Sequence, residues 1–121
     1  MAEQIDVFAS KISGILSQFE NLTKEALEEA IDETAKEAQK QLRSTSPKRT
    51  GAYARGWKIE NTGNRISPGK TVYNEIPGLA HLLENGHAKR GGGRVNGIPH
   101  IAPVNDQIAQ MIEEKLRRAL G

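Results

Sequence analysis

The chain has 121 residues, 36% of them hydrophobic and only 4% aromatic, with a net charge of +2 and no cysteine. That length suits one domain with one modest core, and the missing cysteines exclude disulfides and thiolate metal sites. No stretch approaches the roughly 20 apolar residues of a membrane span, and the acidic opening MAEQIDVFAS lacks an apolar run of signal-peptide length, so a soluble protein made in the cytoplasm is expected. A chain this polar is either marginally stable or buries further surface against partners.

From Ile5 to Leu42 apolar residues recur in steps of three and four, the spacing of one helical face. The pattern predicts a first helix near 5–19 and a second near 24–43. Thr23 is placed to cap the second, with Leu22 and Leu27 positioned as a hydrophobic staple. Its outer face carries Glu25, Glu28, Glu29, Asp32, Glu33, Lys36 and Lys40, which reads as a solvent face or, more sharply, as a coiled-coil surface. Ser44–Gly51 ends the helix, because Pro47 disfavours helix at Ser46 and Gly51 permits a turn. Trp57 and Ile59 then alternate with Lys58 and Glu60, the period of a half-buried strand. The turn-rich NTGNRISPGK predicts a hairpin connection to a second strand at Thr71–Asn74.

Leu79–Pro103 holds all three histidines and a triple glycine. Apolar residues bracket it: Leu79, Leu82 and Leu83 before, Ile98, Ile101 and Ala102 after. Between them His87–Gly97 is basic and glycine-rich, a loop that cannot bury itself. Lys89, Arg90 and Arg94, with His87, are its candidate contacts to a partner or to DNA. Function tends to sit on loops held by a rigid scaffold, and a tolerated surface insertion is the plainer alternative. Pro103 can occupy the first turn of a last helix, whose apolar face is Ile108, Met111, Ile112, Leu116 and Leu120. The order predicts an α+β fold: two N-terminal amphipathic helices and a C-terminal helix packed on a small antiparallel sheet, with a long Gly-rich basic loop. One domain over 1–121 is expected, divided into a helical arm at 1–44, strands and loop at 45–103, and a C-terminal helix at 104–121.

Charge is spread unevenly, with −4 over residues 1–44, +6 over 45–103 and zero over 104–121. Such asymmetry fits charge-complementary stacking of subunits, a basic face toward nucleic acid, or simply two solvated faces. For chemistry the pattern is poor. HLLENGH does not have the histidine spacing of a helical zinc protease, and KRGGGR is not a phosphate-binding loop. No nucleophile has a local signature, so no enzyme activity, cofactor or metal is expected. A basic glycine-rich loop can follow a phosphate backbone without reading sequence. Tyr53, Trp57 and Tyr73 are then the candidates to stack on bases, although Trp57, in a predicted strand, is better placed in the core.

SPKRTGAYARGW at 46–57, then VYN and HLLENGHAKRGGGRVNGIPHIAP through residue 103, resemble the neck or tail-completion proteins of tailed bacteriophages with long non-contractile tails, a gene-product-ten-like family. Most of the chain takes part, through an ordered set of features of which none is decisive alone. The resemblance implies a structural virion protein without catalytic residues, acting where the filled head meets the tail, as a ring-forming subunit. It implies other neck and tail proteins as partners (connector or stopper, tail terminator or tail tube), passive contact with packaged DNA, and no membrane. It assigns Pro47, Thr50, Gly51 and Trp57 to the scaffold, Glu84, Gly86 and His87 to the start of the loop, and Pro99, His100 and Pro103 to its exit. Val104 and Asn105 stand where the family usually has Ala-Glu. A small non-specific nucleic-acid-binding protein is the alternative reading.

Overall fold

The computed structural model describes residues 4–19, 21–47, 51–64 and 67–119. Its first element corrects the helical arm. Ile5–Phe8 is a strand, β1, followed by a 3-10 turn at Ala9–Ile12 and a single helical turn, α1, at Ser13–Leu16. The helical spacing of Ile5, Phe8 and Ile12 is real, but Ile5 and Val7 also alternate, and both are fully buried. Two β-branched residues on one face favour a pleated, half-buried surface. β1 also supplies the partner for an otherwise open sheet edge.

Helix α2, Lys24–Thr45, matches expectation within two residues at its end. The Thr23 hydroxyl accepts from the Ala26 N–H at 3.0 Å, the N-cap anticipated from sequence. Its 22 residues span about 33 Å. Ala30, Ile31, Thr34, Ala35, Ala38 and Leu42 form the buried stripe, and the alanines let neighbouring elements approach the helix axis closely. A short helix α3, Ala52–Arg55, leads into β2, Trp57–Asn61, and β3, Gly69–Asn74, follows. The sheet runs β1-β3-β2, antiparallel throughout. Ile5 and Ile59 flank Val72 across it, which puts three apolar side chains on the face toward α2.

Helix α4, Pro77–Asn85, is followed by two short strands, β4, Gly86–Ala88, and β5, Arg94–Asn96. These pair antiparallel, with Gly86 opposite Asn96 and His87 opposite Val95. The glycine-rich segment is therefore a β-hairpin, not an open loop. The predicted last helix is also divided. α5, Ile101–Asn105, carries Pro103 in its first turn; the chain breaks at Asp106 and Gln107 before α6, Ile108–Ala119. Ile108, Met111, Ile112 and Leu116 pack α6 into the core that also contains Ile5, Leu42, Trp57 and Ile101. Lys115 on α6 reaches Glu37 on α2 at 2.7 Å.

Candidate functional site

The basic hairpin stands on a buried polar footing, and the footing begins with an accounting problem. The first N–H groups of any helix lack intrahelical acceptors. In α5 three of them, those of His100, Ile101 and Ala102, donate to the Glu84 carboxylate at 2.8, 2.9 and 3.0 Å. The next residue is Pro103, which has no N–H to satisfy. One side chain from the end of α4 thus closes the start of α5. Burial alone would raise the pKa of Glu84, but the three backbone bonds, aided by the His100 ring, outweigh it and hold the pKa below the ordinary value.

His100 extends the network inward. Its Nδ1 faces only acceptors, the Ile98 carbonyl at 2.7 Å and the Glu84 carboxylate at 3.1 Å, so Nδ1 carries the proton. In the neutral ring Nε2 then accepts from the Tyr53 hydroxyl at 2.7 Å. Burial, followed by the nearby Glu84 charge, pushes the Tyr53 phenol well above its ordinary pKa, which keeps it a donor. Tyr53, Trp57 and His100 pack edge to face, with centroids 5.5 to 6.2 Å apart. The Trp57 indole N–H donates to Ser46 at 2.8 Å, and the Ser46 hydroxyl in turn bonds the Leu42 carbonyl. Asn74 donates to the Tyr53 carbonyl at 2.9 Å. Gln39 and Arg43 of α2 both donate to the Trp57 carbonyl.

Backbone contacts fix the hairpin to this footing. Gly86 has φ +77°, and a Cβ there would lie 2.3 Å from the Val95 carbonyl oxygen. A Cβ on Gly97 would lie 2.4 Å from the Glu84 carbonyl oxygen, so the two ends of the hairpin cross with no room for a side chain. The Ile98 N–H donates to the Leu83 carbonyl at 2.7 Å, and Arg94 caps the end of α4 through the Asn85 carbonyl, also at 2.7 Å. At the tip Lys89 N–H donates to the Gly93 carbonyl, and Gly92 and Gly93 take the positive φ values that the turn requires.

Glu84, Gly86 and His100 are therefore brought together, and Trp57 adjoins them. His87, Lys89, Arg90 and Arg94 lie exposed on the hairpin, Pro99 is exposed at its exit and Pro103 is exposed on α5. Pro47 is half-buried just past α2. Gly51 precedes α3 with φ +80°. Thr50 lies outside the described residues, as does Leu120. The three histidines are not gathered: His81 is exposed on α4, His87 on the hairpin, and His100 is buried. Tyr53 and Trp57, considered above as stacking aromatics, are both buried and cannot stack on bases. Tyr73 lines an open groove of about 740 Å³ beside the sheet, with Glu60, Thr62, Glu75 and His81. Sequence reasoning missed Tyr53 as the partner of His100 and Ser46 as the partner of Trp57. The available signal was that buried Tyr and Trp polar atoms need partners.

The family described as "Bacteriophage HK97-gp10, putative tail-component" matches residues 6–86. The chain belongs to this HK97-gp10-like family. The matched span runs from β1 through α4 to the first residue of the hairpin, so it contains Glu84 and Gly86 as well as Tyr53 and Trp57. The hairpin tip, α5 and α6 follow it. No curated protein and no solved structure matches the chain. As an HK97-gp10-like protein it is a phage tail component. Among its described residues no helix is long and apolar enough to cross a membrane.

Proposed function

We propose that this tail component acts at the head–tail junction, as a ring-forming neck or tail-completion subunit that joins filled heads to tails. Family membership supports the phage tail setting. The observation that carries the junction role is the hairpin itself. It projects Lys89 and Arg90 on an exposed tip, yet its base is held by the buried Glu84–His100–Tyr53 network. A surface presented by so fixed a scaffold binds with little loss of freedom. Its neighbours are connector or stopper, tail-terminator and tail-tube proteins, and a ring around the DNA path gives the basic surface passive contact with packaged DNA. Proteins of this kind work by assembly, and the buried network positions backbone.

Labelling purified virions with antibody against the chain tests the placement. Label at the junction of head and tail supports it, and label distributed along the tail or absent from virions contradicts it. A DNA-binding role predicts salt-sensitive affinity of the isolated protein for duplex DNA.

A further inference from the structure

We infer that the chain pairs with a second copy of itself through the free edge of β2, two-fold about Ile59. The inference goes beyond the junction reading and does not rest on it. β2 is an outer strand of the β1-β3-β2 sheet, and the ladder fixes which of its backbone groups face outward. The Glu75 N–H donates to the Gly56 carbonyl at 2.9 Å, and the Thr62 N–H to the Gly69 carbonyl at 3.3 Å. Both pairs lie on the register that sets Lys58 against Tyr73 and Glu60 against Thr71. Hydrogen-bonded pairs alternate along an antiparallel ladder. Lys58 and Glu60 therefore bond β3, while Trp57, Ile59 and Asn61 turn their backbone groups to the open edge. There the Trp57 carbonyl is held by Gln39 at 2.8 Å and Arg43 at 3.0 Å, both from α2. Among the described residues no hydrogen bond reaches the outward N–H and C=O of Ile59, which is half-buried, or of Asn61, which is exposed. Such an edge is a template for another strand.

The side chains of β2 select its partner. Trp57 and Ile59 face the core, so Lys58 and Glu60 lie on the opposite face of the sheet. Lys58 meets Glu75 at 3.4 Å, with both side chains well exposed. Glu60 is exposed and forms no ion pair among the described residues. A second β2, running antiparallel, can be centred on any residue of the strand. Centred on Lys58 or Glu60, it sets two like charges face to face. Centred on Trp57, it needs a carbonyl that α2 already holds. Centred on Asn61, it sets Glu60 against Thr62 and leaves both charges unanswered. Centred on Ile59, it sets Lys58 against the other copy's Glu60, twice by symmetry, with Ile59 against Ile59 toward the core. Opposite charges directly across a ladder favour a register and like charges oppose it. The two Ile59 residues then exchange both of their N–H···O bonds. The ladder stops at Trp57, so the contact is short and the dimer weak. It uses the same patch on both copies and closes at two.

The chain has no cysteine, so introduced thiols report the register. Across the two-fold, the Lys58 position and the other copy's Glu60 position form a pair without mutual hydrogen bonds. Their Cα atoms lie about 4.5 Å apart, within reach of a disulfide. The two Lys58 positions, or the two Glu60 positions, lie about 8 Å apart, beyond that reach. Lys58→Cys and Glu60→Cys chains, mixed at high concentration under mild oxidation, should therefore cross-link at least about tenfold faster than either chain alone. Sedimentation equilibrium gives a second reading. Lys58→Glu should weaken the wild-type dimer by about tenfold, and Lys58→Glu with Glu60→Lys should restore it to within about threefold. Circular dichroism melts check that each variant folds; Glu60→Lys alone, at the exposed position, replaces Lys58→Glu if that reversal unfolds the chain. Cross-linking no faster in the mixture than in the separate samples would overturn the inference. So would a wild type that stays monomeric at the highest soluble concentration, a single reversal that dimerises like wild type, or a double reversal that fails to recover.

Discussion

Replacing Glu84 with glutamine keeps the side chain's shape and removes its charge. The carboxylate accepts three N–H bonds from the start of α5 and lies within 3.1 Å of His100 Nδ1. Glutamine keeps one acceptor oxygen and turns an amide N–H toward a backbone donor. About one charge-assisted bond is lost and one buried donor is left without a partner, a cost of roughly 2–4 kcal/mol. A domain of this size has about 5–15 kcal/mol to lose, and the melting temperature should fall by about 10 °C. The effect should also depend on pH. The folded-state pKa of Glu84 lies below its ordinary 4.5. Between those two values the unfolded chain holds the proton and the native chain does not, so stability rises with pH there. The stabilisation is fully present above pH 4.5 and is lost as pH falls through the folded value. Urea melts of wild type and Glu84→Gln at neutral pH and at successively lower pH read both effects. A variant as stable as wild type at pH 7, or a stability gap that does not narrow on acidification, would refute the reasoning.

Other expectations concern single contacts. Tyr53→Phe removes the bond to His100 and should cost about 1 kcal/mol in equilibrium melts, with the edge-to-face packing retained. The Thr34 hydroxyl is buried with no hydrogen-bond partner among the described residues, so Thr34→Val should raise stability by about 1 kcal/mol. Gly86→Ala forces a side chain into a left-handed position and against Val95, and should cost about 2 kcal/mol or more, with hydrogen exchange of the hairpin amides rising first. Replacing Lys89 and Arg90 with serine should leave the melt nearly unchanged and lower the yield of heads joined to tails; normal joining would mark the hairpin tip as a tolerated insertion.

How much of this was legible in the sequence varied by element, for physical reasons. α2 was readable because a cap, a long amphipathic period and a proline stop agreed. β2 and β3 were readable because Trp57 and Ile59 alternate and turn residues separate the strands. β1 is not legible because Ile5, Phe8 and Ile12 satisfy a helical period; Val7, which breaks the tie, gains its meaning only from the open edge of β3. The composition of the hairpin, dominated by Gly91–Gly93, suggests a loop, whereas its shape is set by Gly86 and Gly97 passing too close for any Cβ. The resemblance placed Glu84 and His100 at opposite ends of one feature. That Glu84 reaches 16 to 18 residues onward to cap α5, and that Tyr53 meets His100 47 residues away, depends on tertiary packing that no local pattern encodes.

The central claim is that this tail component completes the junction between head and tail. The direct measurement is in vitro joining: filled heads and free tails from a phage lacking the protein, mixed with and without the purified chain and counted by electron microscopy. The account predicts that heads and tails stay separate alone and join when the chain is added, with joined particles regaining infectivity. Joining at the normal rate without the chain would contradict it.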